Sequence, residues 1–548
     1  MAHALAGKPV QEQDIIDVQT IVDAYFDNVP DVTNPTQLVS FGTSGHRGTS
    51  VDGTFTDLHV AAITQAICDG RKQFGATGPI FVGQDTHALS QPALVTVLEV
   101  LAGNGVTAMV DCDMDFVPTP SVSRAIIRYN EEHDDKADGI IITPSHNPPD
   151  NGGIKYNTII GGPADTVVTK WIEMRANEYL TAYCESEDFK RISIDNIEPT
   201  AQVPYDYKGL YVEELGDVIN MEAIKAAGPK VLVDTLGGSG ASYWNAIKER
   251  YGLDLTIIHD DYDPTFSFMT YDHDGKVRMD CSSTYVMASV INRIGDFDLA
   301  VGNDPDYDRY GIVVSSGLIS ANTFLTLAAR YLFTTRGWKN KGVGKTVVCT
   351  TMIDKWAADA ETPVFEVPVG FKYFSQLLFD GAIGIGGEES AGASFLKKDG
   401  TVWTTDKDGM IMALLSMEIM AVMGKSALKM ADESLEEFGN PSFGRIDAPC
   451  KKEQKQILKQ MSAELITATT VDGDPITNIR TTSLYNDMPI DGVRVETDKG
   501  WFVARPSGTE DLYKIYGESY KGDLGLVALL TAGEEIVNAA LNGTIETE

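Results

Sequence analysis

Between Gly302 and Gly311 the chain reads GNDPDYDRYG, with Asp304, Asp306 and Asp308 at every second position. Alternate residues of an extended segment face one side, so this spacing predicts three crowded carboxylates, which repel one another unless a cation joins them. The donors are oxygen only, with neither His nor Cys, which favours a hard ion such as Mg²⁺ over zinc. An EF-hand is excluded, because the places that need Gly and Glu hold Arg309 and Ser315. A solvated acidic turn is the plain alternative. Arg309 follows the triad directly, and a guanidinium beside a metal suits a phosphoryl group.

A second stretch, ADGIIITPSHNPPDNGGIKYN from Ala137 to Asn157, ends an apolar run in Ser145. Pro144 removes a backbone donor just before it, and Pro148 and Pro149 stiffen the exit, so the hydroxyl is expected on a constrained loop. A turn serine bonding its own backbone explains it as well. A metal short of one anionic oxygen, with a rigid serine on another loop, suggests phosphoserine as the missing ligand. Such a group can be transferred onward while a divalent ion neutralises charge.

Other loops carry ligand-type residues. ARPSGTEDLYKIYGES offers Arg505, Ser507, Gly508 and Thr509 as a guanidinium fork, two hydroxyls and a glycine that frees backbone N–H groups, a plausible phosphate cradle or a plain hairpin turn. GGEESAGAS places Glu388 and Ser390 where they can accept sugar hydroxyls or simply be solvated. GFKYF presents Lys372 as a ligand cation or proton-transfer group, and FGTSGHRGTS sets His46 and Arg47 between glycines on a loop that can meet an anion. Two look-alikes are rejected. KGVGKT has Lys339 where a Walker loop needs its first Gly, and TLGGSG lacks the dinucleotide-binding spacing, so both are read as ordinary turns.

The elements that must position these loops follow from periodicity. LHVAAITQAICDGRKQFG, PIFVG, LVTVLEVLAGNG and VTAMV alternate helix and strand, and the pattern recurs over Lys230–Asp260 and Lys345–Gly387. That predicts α/β domains on mostly parallel sheets, with the polar loops beyond the strands' carboxyl ends, where open sheets bind ligands. The tail reads as an α+β domain: a helix near Lys455–Leu465, alternating strands, then the helix LVALLTAGEEIVNAAL. The boundaries expected are 1–203, 204–320, 321–435 and 436–548.

With 548 residues the chain exceeds one core, and its formal charge of −35 disfavours nucleic acid and anionic membranes. An anionic substrate would need a local cationic pocket. Six cysteines without a CxxC pair suggest neither disulfides nor zinc and read as buried small residues. MAHALAGKPVQEQD lacks a signal peptide's basic start and apolar core, so a soluble cytoplasmic protein is expected.

With TPSHNP, NDPDYDR, GGEESAG and RPSGTE in this order, the sequence resembles the α-D-phosphohexomutases from about Phe41 to the C-terminal helix. The resemblance implies an α/β protein: three similar mixed α/β domains and a C-terminal α+β, TATA-binding-protein-like domain around a central cleft. It implies Ser145 as phosphoserine, with Ser145, Asp304, Asp306 and Asp308 holding Mg²⁺ and Arg309 steadying the phosphoryl group. Glu388 and Ser390 would grip sugar hydroxyls, and Arg505, Ser507, Gly508 and Thr509 the non-reacting phosphate. His146, Lys155, Arg47 and Lys372 complete the catalytic set. Many relatives read D-G-D-G-D-R, whereas Pro305 and Tyr307 stand here in place of both glycines, and the double-Glu sugar loop favours glucose. The implied reaction is exchange of glucose 1-phosphate and glucose 6-phosphate through glucose 1,6-bisphosphate, which also serves as primer. The partner is a small sugar phosphate, and the protein is a monomer or a dimer. A mannose- or glucosamine-phosphate mutase, a phosphatase and a catalytically silent sugar-phosphate binder are the rival readings.

Overall fold

The run Asp138–Ile142 is buried along its whole length, which requires cover on both faces of its sheet. In the computed structural model, which describes residues 2–42, 45–184, 189–506 and 512–545, Ile140 and Ile142 enter one apolar cluster and Ile141 the opposite one. The first cluster takes residues such as Leu58, Leu94 and Ile172 from the helices Asp57–Gly70, Ser90–Gly103 and Thr166–Cys184, the second Val122 and Ile126 from Thr119–Glu132. Strand alternation thus assigns each isoleucine to a layer.

The chain divides into two compact units, Met1–Ser320 with Ser375–Gly381 and Ser390–Leu428, and Ala321–Phe374 with Ala382–Glu389 and Lys429–Glu548. The first holds two sheets built on one plan. One runs in the order His46–Thr49, Asn151–Asn157, Asp138–Ile142, Ile80–Gln84, Ala108–Asp111, Gln202–Tyr205, the other in the order Gly317–Leu318, Gly311–Val314, Leu299–Gly302, Val231–Asp234, Leu255–Ile258. In each, parallel strands fill one side of the sheet, and the parallel strand that borders the other side, Asp138–Ile142 or Leu299–Gly302, turns back as an antiparallel hairpin. These sheets are therefore mixed rather than mostly parallel. The two hairpin loops are the serine loop and the aspartate loop.

In the second unit, Val364–Val367, Gly342–Thr346 and Ile383–Gly387 lie parallel in that order. A six-stranded antiparallel sheet follows, with the helix Gly522–Ile545 contributing Leu529, Leu530, Val537 and Leu541 to its core. That helix is long and apolar enough to cross a membrane by composition; one face packs on this sheet, while Leu524 and Val527 stay exposed. Val347 and Val348 join Ile490, Trp501 and Val503 in one cluster, and buried Glu366 accepts both arms of Arg480 at 2.6 and 2.8 Å.

GVGKT is strand Gly342–Thr346, with Lys345 buried and paired to Asp354, and not a turn. Cys112 is exposed rather than buried, while Cys281, Cys349 and Cys450 are buried. The final helix begins at Gly522, ahead of its apolar run.

His46 is a core residue and not an anion ligand: Nε2 bonds the Thr54 carbonyl at 2.9 Å, and its ring stacks on His59 with centroids 5.3 Å apart. His59 caps its own helix through Thr56 and donates to the Gln37 carbonyl. Burial, then His46, pushes His59 down to about 3. Below its ordinary value of about 6.5 the unfolded chain takes a proton that the folded chain refuses, so stability falls as pH drops from there toward the folded value. His59→Gln is expected to shrink the loss of unfolding free energy between pH 7 and pH 4 by about 3 kcal/mol. Denaturant titrations at both pH values measure it, and an unaltered loss would contradict this assignment.

Candidate active site

Ser145 sits in the hairpin loop after Asp138–Ile142 with φ at 59°, a left-handed conformation rare for a residue with a side chain. Its N–H donates to Thr143 Oγ1 at 2.7 Å, and that hydroxyl donates to Asp85 Oδ2 at 2.6 Å. Asp85 also receives Ser90 Oγ at 2.6 Å and His87 Nδ1 at 2.9 Å, while His87 Nε2 donates to the Asn147 carbonyl at 3.0 Å. Burial works against a charge on His87, but Asp85 outweighs it and raises the imidazole above its usual range. A buried ion pair thus grips the serine loop on both sides of Ser145.

The hydroxyl meets the second sheet's loop directly: Ser145 Oγ donates to Asp304 Oδ2 at 2.8 Å. Asp304, Asp306 and Asp308 are buried, with carboxylate oxygens within 4.8 Å of one another. They converge through a tight turn in which Tyr307 has φ at 63°, and not through extended alternation. Burial, then repulsion from Asp306 and Asp308, holds Asp304 well above the usual carboxylate range. Burial pushes Asp308 the same way, but Lys407, Lys155 and Arg309 overcome it and hold Asp308 low. Thr119 anchors the turn, donating from N to the Asp306 carbonyl at 3.0 Å and from Oγ1 to Oδ2 at 2.8 Å.

These residues fit a hard divalent cation. Asp306 Oδ1 and Asp308 Oδ1 are buried without a hydrogen-bond partner, a costly arrangement that an ion between them relieves. Two other groups of metal-ligand type among the described residues, Asp111–Asp113 and Asp272–Asp274, are largely exposed.

Cations ring the triad. Lys155 Nζ lies 2.6 Å from Asp306 Oδ2 and 3.2 Å from Asp308 Oδ2, and Lys407 Nζ 2.9 Å from Asp308 Oδ2. Arg309 reaches Asp280 Oδ2 at 3.3 Å through NH1, its Nε standing 3.9 Å from Asp308 Oδ1. Arg47 donates to Asn147 Oδ1 at 3.2 Å. His146 Nδ1 is 3.3 Å from Ser145 Oγ, and burial followed by Arg309 holds this imidazole well below its usual range, hence neutral. Ser390 begins the segment whose Ala391 carbonyl accepts Tyr310 N at 3.1 Å.

The remaining candidates belong to the second unit. Lys372 opens the helix Lys372–Phe379, Glu388 is buried just after Ile383–Gly387, and Arg505 lies on strand Gly500–Pro506 with a buried Nε. Ser507, Gly508 and Thr509 lie outside the described residues. Sequence reasoning missed Lys407, Asp280, Thr119 and the Asp85–His87 pair. Only TTDKDG, a polar run capped into an apolar helix by Asp408, offered a signal for Lys407.

Four family models match in chain order: phosphoglucomutase/phosphomannomutase alpha/beta/alpha domain I over 38–182, domain II over 210–317, domain III over 320–438, and the C-terminal domain over 447–524. The chain is 46% identical over 539 residues to the phosphoglucomutase of Komagataeibacter xylinus, covering 97% of each. It is 27% identical to phosphoglucomutase 1 of Saccharomyces cerevisiae over 90% of each. The crystal structure of pp63/parafusin from Paramecium, in its open form, shares the fold with a TM-score of 0.72 at 20% identity, over 94% of this chain and 96% of that one.

Asp85→Asn removes the charge that His87 answers and is expected to lower stability by about 3 kcal/mol, as for a broken buried pair. Denaturant unfolding measures this, and an unchanged midpoint would show that the pair does not brace the serine loop.

Proposed function

The chain belongs to the phosphoglucomutase/phosphomannomutase family, and from that premise we propose that it interconverts α-D-glucose 1-phosphate and glucose 6-phosphate through phosphorylated Ser145. The observation that carries this reading is the 2.8 Å approach of Ser145 Oγ to Asp304, beside buried Lys155 and Lys407 and half-buried Arg309. A phosphoryl group on Ser145 would bring its negative charge among them. The fixed cations answer the charge, so the chain's net −35 does not repel the substrate where it binds.

Phosphorylated Ser145 gives its group to the free hydroxyl of either sugar monophosphate, forming glucose 1,6-bisphosphate. The bisphosphate turns over and returns its other phosphoryl group to the serine. It also primes dephosphorylated enzyme. The three aspartates, with Ser145, would hold Mg²⁺, which supplies electrostatic neutralisation of the group in transfer. Arg309 aligns the phosphoryl oxygens while Asp280 holds its far edge. In this reading His146, neutral, and Lys155, kept charged by Asp306 and Asp308 against its burial, exchange protons at Ser145 and at the sugar hydroxyl. Glu388 and Ser390 bind sugar hydroxyls, Arg505 with Ser507, Gly508 and Thr509 the idle phosphate, and Arg47 and Lys372 add positive charge. The reaction is that of a cytoplasmic, sugar-phosphate-binding enzyme.

A coupled assay converting glucose 1-phosphate in the presence of Mg²⁺ and bisphosphate primer tests this. Ser145→Ala is expected to lose roughly 10⁴-fold or more in rate, and Asp306→Ala to lose turnover while still folding. Inorganic phosphate released without isomerisation, or full activity of either variant, would overturn the reading.

A further inference from the structure

The turn TLGGSG, Thr235–Gly240, follows strand Val231–Asp234. Its neighbour is the aspartate loop. Ser239 donates to the Pro305 carbonyl twice, from N and from Oγ, each at 2.8 Å. Gly238 and Gly240 leave a socket for the Tyr307 ring: a Cβ on Gly240 would fall 2.4 Å from that ring, and one on Gly238 would fall 2.7 Å from Pro305 Cα and 2.9 Å from the ring. Tyr307 is fully buried there. It is also the residue at φ 63°, where glycine is the natural occupant and a large side chain persists only if its surroundings hold it. From the other side Gly409 N donates to the Tyr307 carbonyl at 2.9 Å.

We infer that the Gly238–Ser239–Gly240 turn is a clamp that, by seating the Tyr307 ring and the Pro305 carbonyl, holds Asp304, Asp306 and Asp308 in the spacing that binds the divalent cation. Tyr307 and Ser239 are positioning residues acting through the aspartates. A carboxylate set that is assembled before the ion arrives binds it without first having to order the loop. The inference rests on the reading of the triad as a metal site, and a binding measurement separates the two.

The test is Mn²⁺ affinity by electron paramagnetic resonance on the full chain, with a melting curve for each variant. Gly240→Ala, which fills the socket, is expected to weaken Mn²⁺ binding about tenfold or more, a typical size for groups that orient metal ligands. Tyr307→Phe, which keeps the ring, should bind like wild type. Gly216→Ala, a control whose new Cβ meets only Tyr251 OH at 3.9 Å, should do the same. If Gly240→Ala does not fold, Ser239→Ala decides, with an expected loss of several-fold in Mn²⁺ affinity at an unchanged melting temperature. Wild-type protein that binds no Mn²⁺ at the triad would overturn the metal reading and this inference with it. Wild-type binding accompanied by equal affinity in Gly240→Ala, or in Ser239→Ala where that variant decides, would overturn the clamp alone.

Discussion

Three carboxylates buried within 4.8 Å of one another are the constraint to which the rest of the first unit answers. Removing one unpaired charge from water costs several kcal/mol, and like charges at this separation add to the cost. Fixed cations offset it. Lys155 and Lys407 lie on the triad, and Arg309 stands beside it with its far edge held by Asp280. The arrangement is costly as structure and useful as chemistry, because cations gathered to offset carboxylates are already in place for a phosphoryl group.

The architecture delivers the two halves of this cluster by one device used twice. In each sheet of the first unit one parallel strand, Asp138–Ile142 or Leu299–Gly302, reverses into an antiparallel partner, so the loop between them is tied at both ends. One loop carries Ser145 and the other the aspartates, and each contains a residue in the left-handed region, Ser145 and Tyr307. Strain of this kind persists where surroundings dictate the backbone. Here the surroundings are the Asp85–His87 pair on one side and the glycine turn on the other.

Much of this was legible in the sequence because chemistry demands certain residue types close together in the chain. Ser145 between prolines, the alternate aspartates and the following arginine needed no partner from elsewhere to be noticed, and the strand, loop and helix rhythm of the α/β regions followed from apolar periodicity. What could not be read arrives through tertiary contact. Lys407 and Asp280 sit in polar stretches whose composition also suits solvent, and only folding sets Lys407 against Asp308. The aspartates were expected to share a face by extended alternation, whereas they meet in a turn, since a tyrosine at positive φ is not a conformation that local propensity favours. TLGGSG was set aside for lacking a nucleotide-binding spacing, and its glycines serve close packing instead.

The central claim is that Ser145 itself carries the phosphoryl group during turnover. Incubating the protein with glucose 1-phosphate radiolabelled in its phosphate, then mapping the label by peptide mass spectrometry, tests this most directly. The label is expected on the peptide containing Ser145, leaving it when unlabelled sugar phosphate is added. Label on another residue, or none on the protein while isomerisation proceeds, would contradict the claim.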